Sequence, residues 1–167
     1  MQSKKIITAY WGLLTALAMI FSYVESMIPP VFTAVPGVKM GLPNIVILFA
    51  LCVFGVRCAA TVSLVRILLV SLLFGNTMIM MYSLAGGILS LLSMWLLQKT
   101  KLFSTVGLSV VGAVMHNLGQ ILVAMLVLET AEIGYYMIVL AVTGTLAGVL
   151  IGLASAFLSK RLGKRLK

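Results

Sequence analysis

Nine polar residues stand inside or beside otherwise apolar stretches, and their types suit the capture of a ligand rather than its conversion. They are Glu25, Lys39, Asn44, Arg66, Asn76, Tyr82, His116, Asn117 and Gln120. An ionisable group within a bilayer is expensive, so each one inside an apolar run is a candidate site by default. Arg66 follows Arg57 by about 13 Å of helix at 1.5 Å per residue, close to mid-membrane. His116 and Gln120 share one helix face a turn apart, with Asn117 beside them. Glu25 comes near the far end of the first apolar run, Asn76 and Tyr82 flank the start of the fourth, and Lys39 and Asn44 belong to a proline-rich stretch. With the runs alternating in direction, all nine converge on the outer half of a helical bundle, as polar groups set in an apolar wall. Donors and cations (Lys39, Arg66, His116) outnumber the single Glu25, so the expected ligand offers acceptors or negative charge: phosphate, carboxylate or a ring with carbonyls. Structural alternatives stay open beside this reading. Glu25 and Arg66 also suit an ion pair, His116 and Gln120 interhelical hydrogen bonding, and Lys39 plain solvation.

Catalysis is not expected. Diphosphate chemistry needs clustered carboxylates to hold Mg²⁺, whereas this chain has three acids, Glu25, Glu129 and Glu132, and no Asp. It carries no Gly-Lys-Ser/Thr phosphate loop, no Cys/His metal spacing and no nucleophile elbow. His116 has no acid to orient it as a general base. Met78, Met80 and Met81 read as packing at a helix end. Cys52 and Cys58 are too few for a disulfide framework or a metal site. The expectation is a non-enzyme with no catalytic residue, no metal and no cofactor.

The elements that must position these residues are membrane helices. Hydrophobic residues make up 62% of the 167, charged residues 9%, and mean hydropathy is +1.22, where soluble domains carry roughly 25% charged residues. A spanning helix needs about 20 apolar residues. Six segments come near this, at about 6–28, 44–56, 59–75, 78–98, 105–128 and 133–159, the second being short. They predict one all-α transmembrane domain over 1–167, a bundle of six helices. Alternating the sides puts ten of the twelve Lys/Arg on one face and Glu129 and Glu132 on the other. That is the positive-inside pattern of a bacterial cytoplasmic membrane protein with both termini in the cytoplasm. Tyr10, Trp11 and Trp95 fall at the inner interface and Tyr135 and Tyr136 at the outer one. The net charge of +9 sits at helix ends rather than on one surface, so the bilayer is its partner and nucleic acid is not. The first apolar run is too long for a signal peptide and lacks a small-x-small cleavage site before Glu25.

All four prolines lie in one apolar stretch, 29–43, between the first two helices. Proline cannot continue a helix, and non-helical backbone at membrane depth survives only when buried in protein or lining a cavity. A lid over the polar residues is expected there, with a plain external connection as the alternative. Small residues at a spacing of four (Gly144, Gly148, Gly152 and Ala156) predict a close helix–helix seam on the last helix. Thr8, Gly12 and Ala16 make a shorter stripe on the first, and Ser83, Gly87 and Ser90 a similar face on the fourth.

Specific runs carry a resemblance. They are Ile20-Phe-Ser-Tyr-Val-Glu25-Ser with Pro29-Pro30, Ala34-Val-Pro-Gly-Val-Lys-Met-Gly-Leu-Pro-Asn44, Leu73-Phe-Gly-Asn76, Tyr82-Ser-Leu-Ala-Gly86 and His116-Asn-Leu-Gly-Gln120. Across essentially the whole chain these resemble the bacterial Gx transporter family, often labelled heptaprenyl diphosphate synthase component I. That family is similar to the substrate-binding S components of energy-coupling factor (ECF) transporters. The acid-rich motif that the enzyme label would require does not occur here. The resemblance to S components implies six helices, a first loop covering an outward-facing pocket, and docking on a transmembrane coupling subunit served by two ABC-type ATPase subunits. Such docking uses an Ala-x-x-x-Ala pattern on the first helix; the nearest match is Gly12-Leu-Leu-Thr-Ala16, with Gly in the first position. The implied substrate is a small vitamin-, flavin-, isoprenoid- or quinone-related compound. Two rivals are a non-catalytic membrane subunit of heptaprenyl diphosphate or quinone biosynthesis, and a secondary carrier, for which no inverted repeat is found.

Overall fold

The computed structural model describes residues 2–27 and 41–166, with side chains for 8–27 and 41–163. Those residues are helical almost throughout, with no strand. Six α-helices follow one another: α1 (Gln2–Met27), α2 (Asn44–Phe54), α3 (Val56–Phe74), α4 (Thr77–Thr100), α5 (Thr105–Leu128) and α6 (Tyr136–Leu166). Among the described residues four stretches are long and apolar enough to cross a membrane, namely α3, α4, α5 and the last helix with the turn before it. As its short apolar run leads one to expect, α2 is the short helix: its 11 residues rise about 16 Å at 1.5 Å each, about half of a hydrocarbon core.

The short connections have identifiable causes. Between α2 and α3 stands Gly55 alone, at φ +88°, a left-handed conformation open to glycine and costly for most side chains. It ends α2 by donating its N–H to the Ala50 carbonyl, 3.0 Å. Asn76 caps α4, its side-chain oxygen accepting from the Ile79 N–H at 2.9 Å, and Ser104 caps α5 by accepting from Gly107 N–H. A 3₁₀ turn over Ala131–Tyr135 precedes α6, so that helix starts three residues later than the apolar pattern suggests. At the basic ends α1 and α6 run past the predicted limits, from Gln2 and to Leu166, because a helix continues into the headgroup region, where Lys and Arg are good helix formers.

The polarity is that of a lipid-solvated bundle. Leu13, Leu72, Leu126 and Leu150 are 65–78% exposed, while seven serines and the polar residues of the site below are buried. Lipid tails are as apolar as leucine, so close backbone approach, rather than hydrophobic burial, holds such helices together. The α5–α6 seam shows it: a Cβ on Gly148 would lie 2.7 Å from Val110 Cα, and one on Gly152 2.7 Å from Val106 Cα. At Gly144 the space is taken by a side chain instead, the Asn117 amide nitrogen lying 2.6 Å from where a Cβ would stand. On the other side of α5, a Cβ at Gly119 would meet the Ala85 carbonyl group at 2.7 Å. Helix α5 is thus clamped between α4 and α6. The short α2 fills the centre, with Ile47, Leu48, Ala50 and Leu51 at most 2% exposed and α1, α3 and α6 packed around it.

Candidate functional site

A buried polar cluster forms where α2 begins. On α1, Ser22 and Glu25 are three residues apart on one face and are 1% and 6% exposed. The Glu25 carboxylate accepts the backbone N–H of Gly41 at 2.5 Å and that of Leu42 at 3.2 Å. It thereby ties the end of the proline-rich stretch to α1 just before α2 starts. From α3, Arg66, also 6% exposed, donates from Nη1 to Ser22 Oγ at 3.2 Å. Its guanidinium also interacts coulombically with Glu25.

Glycine lets the two halves of the cluster meet. Gly41 holds φ +88°, and a Cβ there would fall 2.8 Å from Asn44 Nδ2 and 3.6 Å from His116 Cδ2. Asn44 and His116 therefore lie against the same turn that Glu25 holds. On α4, a Cβ at Gly86 would come 2.8 Å from His116 Nδ1, so the imidazole fits only because that position is bare. Gln120 Nε2 is 2.7 Å from His116 Nε2; with the amide donating, the neutral ring carries its own hydrogen on Nδ1. Asn117 donates to the Leu140 carbonyl on α6 at 2.8 Å.

Three polar atoms in this region, Asn44 Nδ2, Arg66 Nε and Asn117 Oδ1, are shielded from solvent without a hydrogen-bond partner among the described residues. An unsatisfied buried polar group costs roughly 1–3 kcal/mol. Two donors and an acceptor left open at this depth are therefore what a polar ligand would complete. Among the described residues of the cluster, Glu25 and Arg66 supply one negative and one positive charge.

The structure brings Glu25, Asn44, Arg66, His116 and Gln120 together, with Asn117 on the α6 side. It does not bring Asn76, which is exposed and occupied as the α4 cap. Tyr82 is 2% exposed but packs one turn from Gly86 with Ile121, Ala124, Ile133 and Leu140. Lys39 and the middle of the expected lid lie outside the described residues; only the end of that stretch, Gly41–Pro43, is described, and it is largely buried. Gly12 and Ala16 are exposed on α1, with nothing within 4 Å of a Cβ at Gly12.

Sequence reasoning missed Ser22, the Gly41 and Leu42 amides and Gly86. Ser22 was findable, since it shares a helix face with Glu25. The amides were not, because any residue carries one.

The cluster spans α1 to α5. A family model described as heptaprenyl diphosphate synthase component I matches residues 14–158, which contain all of it. The chain belongs to that family. Membership in the component I family accords with a membrane protein built from long apolar helices. No curated protein and no solved structure matches the chain.

Proposed function

We propose that this component I family member is the membrane-embedded substrate-binding subunit of an ATP-driven ECF-type transporter. It captures a small vitamin-, flavin-, isoprenoid- or quinone-related compound in the polar cluster and catalyses nothing itself. The observation that carries the reading is the cluster at the start of α2, where Glu25, Asn44, Arg66 and His116 from four helices converge and Asn44 Nδ2 and Arg66 Nε have no hydrogen-bond partner among the described residues. A packing-only bundle gains nothing from polar atoms left open at that depth. In this reading the basic helix ends face the cytoplasm, both termini included, and the site opens to the outside of the bacterial cytoplasmic membrane. The open small-residue face at Gly12 and Ala16 receives the transmembrane coupling subunit, which two ABC-type ATPase subunits drive.

One observation favours a second reading. The family description itself suits a non-catalytic membrane subunit associated with a prenyl diphosphate synthase. Purification from the native host in mild detergent, with mass spectrometry of co-eluting proteins and small molecules, separates the two. A coupling subunit with paired ATPases supports the transporter, and Gly12→Leu should then lose these partners while keeping its ligand. A prenyl synthase without ATPases replaces it with the second reading. Arg66→Ala and His116→Ala should empty the site; a retained ligand in both refutes the assignment of the cluster.

A further inference from the structure

Among the described residues Arg66 is the one buried cation, and its hydrogen bonding is incomplete. A guanidinium is a planar fork of N–H donors with no acceptor of its own, and it keeps its charge. Ser22 Oγ, 3.2 Å from Nη1, is the one hydrogen-bond acceptor it meets among the described residues. Nε is shielded from solvent and has no partner there. Nη1 stands on the side of the guanidinium away from Nε, so the bond to Ser22 leaves Nε and Nη2 together. Their N–H groups point the same way, and that edge matches two oxygens of one planar anion.

Glu25 does not supply those oxygens. It attracts the guanidinium, but among the described residues no hydrogen bond joins the two. Its Oε1 accepts from the Gly41 and Leu42 amides instead. These stand just ahead of the N-terminus of α2, whose partial positive charge favours an anion there. Arg66 thus presents an open two-donor edge at a depth where an uncompensated charge is unfavourable. Asn44 Nδ2, the other shielded donor of the cluster, is uncharged.

Charge selects the group that fills the edge. A neutral carbonyl brings one oxygen and leaves the cation without a counter-charge. A phosphate monoester brings about −1.5 to −2 at pH 7, more than one guanidinium offsets, and excess buried charge is heavily penalised. A carboxylate is planar, has two oxygens and carries a single charge, so it meets the edge and the charge together.

We propose that the cluster takes a monocarboxylate, its two oxygens bound side-on by the Nε and Nη2 N–H groups of Arg66. Asn44 Nδ2 is left for an uncharged oxygen elsewhere on the same molecule. This rests on the reading of the cluster as a substrate site and names the chemical group by which the substrate is held.

The test uses the full chain in phosphatidylcholine nanodiscs at neutral pH, with 4-fluorobenzoate as the probe, its fluorine resonance as the readout and empty nanodiscs as the blank. 4-Fluorobenzamide and 4-fluorophenyl phosphate carry the same ring with a neutral and a more highly charged head. Each should bind about tenfold more weakly than 4-fluorobenzoate, or worse. Arg66→Lys keeps the charge and removes the planar fork; it should weaken 4-fluorobenzoate about tenfold in protein whose unfolding midpoint shows it to be folded. Asn76→Ala, at the α4 cap, should bind like the parent. Equal or tighter binding of the amide or the phosphate overturns the carboxylate, and these comparisons on the parent protein decide even where Arg66→Lys does not fold. No binding of 4-fluorobenzoate, or parental binding by folded Arg66→Lys, overturns it as well. Failure of the transporter reading shows separately, as the absence of a co-purifying coupling subunit and ATPases. A native compound that is retained by the parent, lost from Arg66→Ala and free of carboxylate would overturn this inference alone.

Discussion

Replacing Glu25 by Gln tests the polar cluster most directly. The amide keeps the shape and one acceptor for the Gly41 and Leu42 N–H groups but removes the charge that offsets Arg66. Both residues are 6% exposed, so water cannot take over the role. Breaking a buried pair from one side costs about 3–5 kcal/mol, and the retained acceptor places Glu25→Gln near the lower figure. At 2–4 °C per kcal/mol for a chain of this size, that is a fall of about 6–12 °C in the unfolding midpoint. Arg66→Met should destabilise as well, since it removes the cation that interacts with the buried Glu25 carboxylate. The double variant should lose less than the sum of the two by about 1–3 kcal/mol, because removing both charges leaves neither uncompensated. The assay is unfolding in mild detergent, followed by the fluorescence of Trp11 and Trp95. Additive single effects, or a loss below about 1 kcal/mol for Glu25→Gln, would refute the coupling between α1 and α3.

Three further outcomes follow from particular contacts. Gly148→Leu drives a side chain into the Val110 backbone across the α5–α6 seam and should destabilise by about 1–3 kcal/mol or more, read in the same unfolding assay. Gly41→Ala must adopt φ +88° and displace Asn44; a loss of about 1–2 kcal/mol from the backbone alone should come with weaker ligand retention, measured by mass spectrometry of the purified protein. Asn76→Ala removes the α4 cap and should cost about 1 kcal/mol while ligand retention stays at the parental level.

How much of the fold was legible in the chain differs from element to element. The predicted span 105–128 coincides with α5, and the predicted start at 44 with that of α2, because capping residues and prolines mark those points in the chain itself. The ends of α1 and α6 were missed, since hydropathy reports the hydrocarbon layer and a helix does not stop at its edge. The number of helices was legible. How α2 is seated was not, since its 11 residues are shorter than a full span and its central residues are packed among α1, α3 and α6.

The sequence by itself determined that the chain is helical, that lipid is its solvent and that certain ionisable residues stand in apolar runs, because period, length and charge are properties of neighbours along the chain. Only the tertiary structure decided which of those residues meet. Glu25 finds two backbone amides sixteen and seventeen residues away, and Arg66 finds Ser22 across forty-four. His116 needs the bare backbone of Gly86 on another helix, whereas Asn76 is diverted to capping its own. The apolar cleft between α1 and α6 is likewise invisible in the chain order, since it is made by the distance between the first and last helices. Such partners are set by close backbone approach between helices, and no local pattern of residue types encodes that distance.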